Sequence, residues 1–170
     1  DKALAANPRD YHALRGRGLS VCGQGDLGRA VEWFDKALAV NPNDYRAMRE
    51  KGAALSALGD DDRAIEWHDK ALALRPRDYH ALRNKGVSLS AKGDEDAALR
   101  CYDQALAVNP KDYDAMRNKG VSLSKLGDED HALEWFDKAL AVNPRDYRAL
   151  RNKGVSLSNT GDEARALEWL

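Results

Sequence analysis

The ten residues ALRNKGVSLS occupy positions 81–90 and recur letter for letter at 149–158, with AMRNKGVSLS between them at 115–124. Successive copies start 34 residues apart, and the register runs through the whole chain. Prolines fall at 8, 42, 76, 110 and 144; glycines fall at 18, 52, 86, 120 and 154, and again at 25, 59, 93, 127 and 161. A fixed period of this size marks stacked supersecondary units, each able to bury its apolar face only against its neighbours. The period divides the chain into complete repeats at 11–44, 45–78, 79–112 and 113–146, with partial repeats at 1–10 and 147–170, in a single array.

Each repeat reads as two helices. Asp112 is a good N-cap two residues after Pro110, and Ala115, Met116, Gly120, Leu123 and Leu126 then recur at helical spacing. Gly127-Asp128 supplies a turn and a second N-cap, and Glu129 and Asp130 suit the positive end of the helix dipole. Ala132, Phe136, Ala139 and Leu140 form a second apolar stripe, which Asn143-Pro144 ends. First helices are predicted near 11–24, 45–58, 79–92, 113–126 and 147–160, and second helices near 27–40, 61–74, 95–108 and 129–142. Helices this short are marginal alone in water, so stability must come from stacking.

These positions resemble the tetratricopeptide repeat family over essentially the whole chain. The family pattern has a small residue where the two helices cross, here Gly18, Gly52, Gly86, Gly120 and Gly154. In the second helix it has small residues at Ala30, Ala64, Ala98, Ala132 and Ala166 and at Ala37, Ala71, Ala105 and Ala139, with Phe34, Tyr102 and Phe136 between them. His68 departs from that aromatic place, and Leu or Met stands where the family has an early Trp. The resemblance implies an all-α, right-handed superhelical solenoid of stacked antiparallel helix pairs that binds peptides in its inner groove.

On the side of the first helix away from its apolar stripe, aligned repeats give columns. One is all arginine: Arg15, Arg49, Arg83, Arg117 and Arg151. The next holds Asn84, Asn118 and Asn152, and one turn on stand Val87, Val121 and Val155. Guanidinium groups offer a fork of donors matched to carboxylates. Neighbouring helices pack about 8–10 Å apart, so the column would meet an extended acidic peptide at roughly every third residue. The neighbouring columns have drifted among the copies and the arginine has not, which favours a binding ladder over a merely solvated face. On that reading Arg83, Arg117 and Arg151 are exposed, and their loss costs little stability. The resemblance also suggests a carboxylate clamp in part, from Arg83, Asn118 and Arg151, although valine stands where clamps often carry a second Asn.

Other residues point to structure. Lys51, Lys85, Lys119 and Lys153 precede the crossing glycines, and they would lay their stems over neighbouring helices and pair with acids such as Asp69 or Asp137. Trp33, Trp67, Trp135 and Trp169 form a second-helix column suited to packing between repeats. Cys22 and Cys101 have no metal or redox spacing. His12 and His80 share a column but sit two repeats apart, too far for one metal ion. No Ser, His and acid converge by this register, and the glycines that recur with the period are each used by a crossing or a turn.

With a net charge of −1 and acids and bases interspersed, bulk nucleic-acid or membrane-surface binding is disfavoured. No apolar run reaches membrane-span length. The expectation is a non-catalytic protein–protein interaction scaffold, without cofactor or metal, binding a protein or peptide ligand of acidic character in a reducing cytoplasm. The alternatives are a structural solenoid that stacks head to tail on its own copies and an RNA-binding helical repeat. Leu4 at one end and Leu167, Trp169 and Leu170 at the other would form the stacking faces, and the mid-pattern start at Asp1 suggests a piece of a longer array.

Overall fold

The structure, a computed structural model, describes residues 7–166. Its helices are α1 (Tyr11–Gly23), α2 (Leu27–Val40), α3 (Tyr45–Ala57), α4 (Asp61–Leu74), α5 (Tyr79–Ala91), α6 (Glu95–Val108), α7 (Tyr113–Lys125), α8 (Glu129–Val142), α9 (Tyr147–Asn159) and the short α10 (Glu163–Ala166). Among the described residues there is no strand. Every first and second helix predicted from the pattern lies within one residue of its expected bounds. The end faces proposed for head-to-tail stacking, Leu4, Leu167, Trp169 and Leu170, lie outside the described residues.

The chain divides into two compact units, Asp1–Ser88 and Leu89–Leu170. In the first, α1 packs on α2, α2 on α3 and α3 on α4, while α1 also touches α3. In the second, α6, α7, α8, α9 and α10 pack in the same sequential way, and α7 touches α9. Both units are thus stacks of antiparallel helix pairs.

Local chemistry sets the helix ends. Asp10, Asp26, Asp44, Asp60, Asp94, Asp112, Asp128 and Asp146 each cap a helix, their carboxylates accepting backbone N–H groups of the first turn. Between the helices of a pair the chain must reverse, and Gly59 does so at φ +82°, a conformation that favours glycine. The Asp60 N–H then reaches back to the Leu55 carbonyl at 2.9 Å, closing the helix end while its side chain opens the next helix.

The crossing glycines give the pairs their close approach. A Cβ on Gly18 would lie 2.5 Å from Phe34 Cε1, and one on Gly120 would lie 2.6 Å from Phe136 Cε1. Serines of the repeated GVSLS stretch link neighbouring first helices. Ser88 is fully buried and donates to Ser56 Oγ at 2.9 Å, while Ser122 and Ser156 stand 3.5 Å from Ser90 and Ser124. The lysine column behaves as its position implied. Lys85 pairs with Asp69 and Lys153 with Asp137, both at 2.6 Å, and Lys51 and Lys119 pair with Asp35 and Asp103. Lys51 and Lys70 both lie over Trp67, at 3.9 and 4.1 Å from the ring centre, and Lys119 and Lys138 lie over Trp135 at 4.1 Å. Trp33, Trp67 and Trp135 also pack against buried core residues.

His68 occupies the place of Phe34 and Phe136, against Gly52, with no exposed surface and no hydrogen-bond partner on either ring nitrogen. Burial pushes its pKa down to about 4; Asp69 and Asp78 oppose this, and Arg49 and Lys85 reinforce it. The unfolded chain therefore binds a proton near pH 6.5 that the folded chain takes up only near pH 4. The stability tied to neutral His68 is complete above pH 6.5 and is lost as pH falls through that window, to a total of about 3 kcal/mol. Replacing His68 by Phe is expected to raise stability at neutral pH by about 1–3 kcal/mol, because an unsatisfied buried polar ring disappears. The variant should also show a flatter dependence of unfolding free energy on pH between 7 and 4.5, measured by urea titration. An unchanged pH slope would contradict this account of His68.

Candidate functional site

Three arginines of the column lie against the start of the next repeat. Arg15 Nη1 donates to Asp44 at 2.5 Å, Arg49 Nη1 to Asp78 at 3.0 Å and Arg117 Nη1 to Asp146 at 2.6 Å. Each aspartate is 29 residues beyond its arginine. Asp44 and Asp146 are also N-caps, with their other oxygen on backbone N–H groups. Two of the arginines reach a second acid: Arg49 Nη2 meets Glu50 at 2.6 Å and Arg117 Nη2 meets Asp114 at 2.7 Å. Side-chain exposure is 15% for Arg15, 19% for Arg49 and 10% for Arg117. The expected solvated arginine face is therefore corrected at these three positions. A guanidinium that joins a helix cap to the preceding repeat gains more from a fixed partner than from solvent. Arg83 is half-buried and has a partner of its own; only Arg151 is exposed.

Electrostatics agree with a fixed strut. Burial would raise the pKa of Asp146, but the Arg117 hydrogen bond and charge, with the amides of Arg148 and Ala149, outweigh it and hold the carboxyl below its ordinary value.

The asparagine and valine columns are more open. Asn84, Asn118 and Asn152 are half-buried, Val121 is half-buried, and Val87 and Val155 are exposed. In the first unit Asn84 and Val87 meet Ala53, Ser56 and Ala57 around a cleft of about 300 Å³. Two of the predicted site residues thus share one depression.

A larger cleft, about 780 Å³, opens where the second repeat meets the third, lined by Tyr45, Arg46, Arg49, Leu74, Arg75, Pro76, Arg77, Asp78, Tyr79 and His80. Of the predicted groove-binding residues only Arg49 lines it. The other cations come from loop and helix-start positions that differ among the copies. Arg75 stands where the other repeats have Asn41, Asn109 and Asn143. A column-by-column reading of the loops would have found them. Among the described residues no group of three His, Cys, Asp or Glu side chains could hold a metal ion, and no helix is long and apolar enough to cross a membrane.

The tetratricopeptide repeat family profile matches residues 1–39, 22–79, 83–141 and 136–170. No curated protein sequence matches the chain significantly. Among solved structures it is similar to PilW, described as a widely conserved type IV pilus biogenesis factor, at 23% identity and a TM-score of 0.92 over 99% of this chain and 78% of that one. It is also similar to MamA (residues 41 to the end) from Desulfovibrio magneticus RS-1, at 24% identity and a TM-score of 0.80 over 94% and 90% of the two chains. A third is YrrB, described as a TPR protein with an unusual peptide-binding site, at 24% identity and a TM-score of 0.72 over 99% and 87%. These likenesses share the fold, and on the profile match the chain belongs to the tetratricopeptide repeat family.

Proposed function

We propose that the chain is a non-catalytic scaffold that binds an extended, acidic peptide of a partner protein across its first helices. The observation that carries this is the cleft lined by Ala53, Ser56, Ala57, Asn84 and Val87. An extended peptide brings an unpaired N–H and C=O at each residue, and the Asn84 amide offers both a donor and an acceptor. Small side chains at 53 and 57 let a main chain come near, and Val87, 40% exposed, offers apolar area for a ligand side chain to cover. Asn118 with Val121 and Asn152 with Val155 repeat the same pair of residue types in the second unit. The arginine column then serves as the frame of the face. We place this scaffold in the cytoplasm, where Cys22 and Cys101, which form no disulfide, would remain thiols.

Peptides selected from a random display library provide the probe. Their binding is expected to shift the backbone amide signals of Ala53, Ser56, Asn84 and Val87 in a ¹⁵N-labelled protein. Val87→Asp should lower their affinity at least tenfold while leaving the urea midpoint in place. Shifts confined to α2 and α4 would overturn the proposal.

A further inference from the structure

We infer that the cleft at the start of the third repeat is a docking site for a carboxylate-rich segment of a partner peptide, held by Arg46, Arg75 and Arg77. This deepens the reading above by naming the cleft and the residues that would hold the partner's acidic side chains, and it rests on that reading only for the partner being a peptide.

Among the cleft-lining residues, four arginines face one acid, Asp78, in a chain whose net charge is −1. Asp78 is already paired with Arg49. Among the described residues, Arg46, Arg75 and Arg77 are exposed and make no ion pair. Arg46 and Arg75 instead lie over the Tyr45 ring, at 5.5 and 5.1 Å from its centre, and Arg46 Nε donates to the Tyr45 hydroxyl at 3.1 Å. Cation–π contact holds a guanidinium without consuming its charge, so two donors are oriented in advance and remain uncompensated. Like charges held together repel, and an anionic guest relieves that repulsion. The volume, about 780 Å³, exceeds what one small oxyanion fills and suits several residues of a peptide. Tyr79, stacked on His80 at 3.9 Å between ring centres, and Pro76 supply wall for the stems of glutamate side chains.

The site is peculiar to this boundary. The places of Arg46, Arg75 and Arg77 are taken one repeat earlier by His12, Asn41 and Asn43, and one repeat later by His80, Asn109 and Lys111. Three cations therefore converge here, against none and one.

The test exchanges this boundary for its neighbour's residues, with Arg46→His, Arg75→Asn and Arg77→Asn combined, a set that the same loop already carries elsewhere. Pentaglutamate, pentaglutamine and an otherwise neutral phosphoserine pentapeptide are titrated into wild type and variant. Pentaglutamate is expected to bind wild type with an affinity that falls as salt rises and to shift the side-chain Nε–H signals of Arg75 and Arg77. The triple variant should lose at least tenfold in that affinity and keep its urea midpoint. Pentaglutamine should bind neither protein. Pentaglutamate affinity unchanged in the variant, or binding by the phosphoserine peptide alone, would overturn the inference. Retained pentaglutamate binding by Val87→Asp would support it, even where library peptides are lost and the first-helix reading fails.

Discussion

Replacing Gly120 by Leu is expected to cost the protein more than about 3 kcal/mol, because the crossing of α7 and α8 has no room for a side chain. A Cβ at this position alone would meet Phe136 Cε1 at 2.6 Å, Cδ1 at 2.9 Å and Cζ at 3.0 Å. Phe136 is 1% exposed, so its ring has nowhere to retreat without displacing α8. Even Ala should destabilise, since the overlap of about 1–3 kcal/mol exceeds the gain of about 1 kcal/mol from removing a helical glycine. Combining Gly120→Ala with Phe136→Leu should recover part of the loss, which separates a clash from an effect on the helix itself. Urea unfolding followed by circular dichroism reads each variant. A midpoint unmoved by Gly120→Leu would contradict the close crossing.

The second large effect is expected at Arg117. Its replacement by Ala should cost about 3 kcal/mol, because it leaves the Asp146 carboxylate buried without its charge partner. Asp146 is 7% exposed and caps α9 through the amides of Arg148 and Ala149, so it cannot turn to water without uncapping that helix. The stability tied to its lowered pKa is present above the ordinary aspartate range and is lost as pH falls through the folded value. Arg151→Ala is the control in the same column. Arg151 is exposed, and its loss should stay within about 0.5 kcal/mol.

Helix positions were legible from the sequence because their determinants are local. An Asp N-cap, a glycine at positive φ and a proline after each pair act within a few residues, so the period alone placed α1 to α9. The lysine column was legible too, since its place before the crossing glycines implied packing and an acid partner. The burial of Arg15, Arg49 and Arg117 was not legible, because each partner lies 29 residues away, on an aspartate that caps the next repeat. No local rule points to that partner. Invariance among the copies also fits a contact between repeats, which recurs wherever repeats stack. A ligand needs its contacts once, so a docking site can show as a departure from the repeat, as at Arg75 and Arg77. The serines of GVSLS were equally hidden, because their mates are 32 residues away on the neighbouring first helix. His68 was visible as a departure, but its orphaned nitrogens appear only once the crossing is built.

The most direct test of the claim that the invariant arginines hold repeats together is a double-mutant cycle on Arg117 and Asp146. Urea unfolding free energies of wild type, Arg117→Ala, Asp146→Ala and the double variant isolate the coupling between the two side chains. A coupling of about 2 kcal/mol or more is the expected result for a shielded, hydrogen-bonded pair. A coupling near zero, with Arg117→Ala as harmless as Arg151→Ala, would return the column to the solvent and contradict the account.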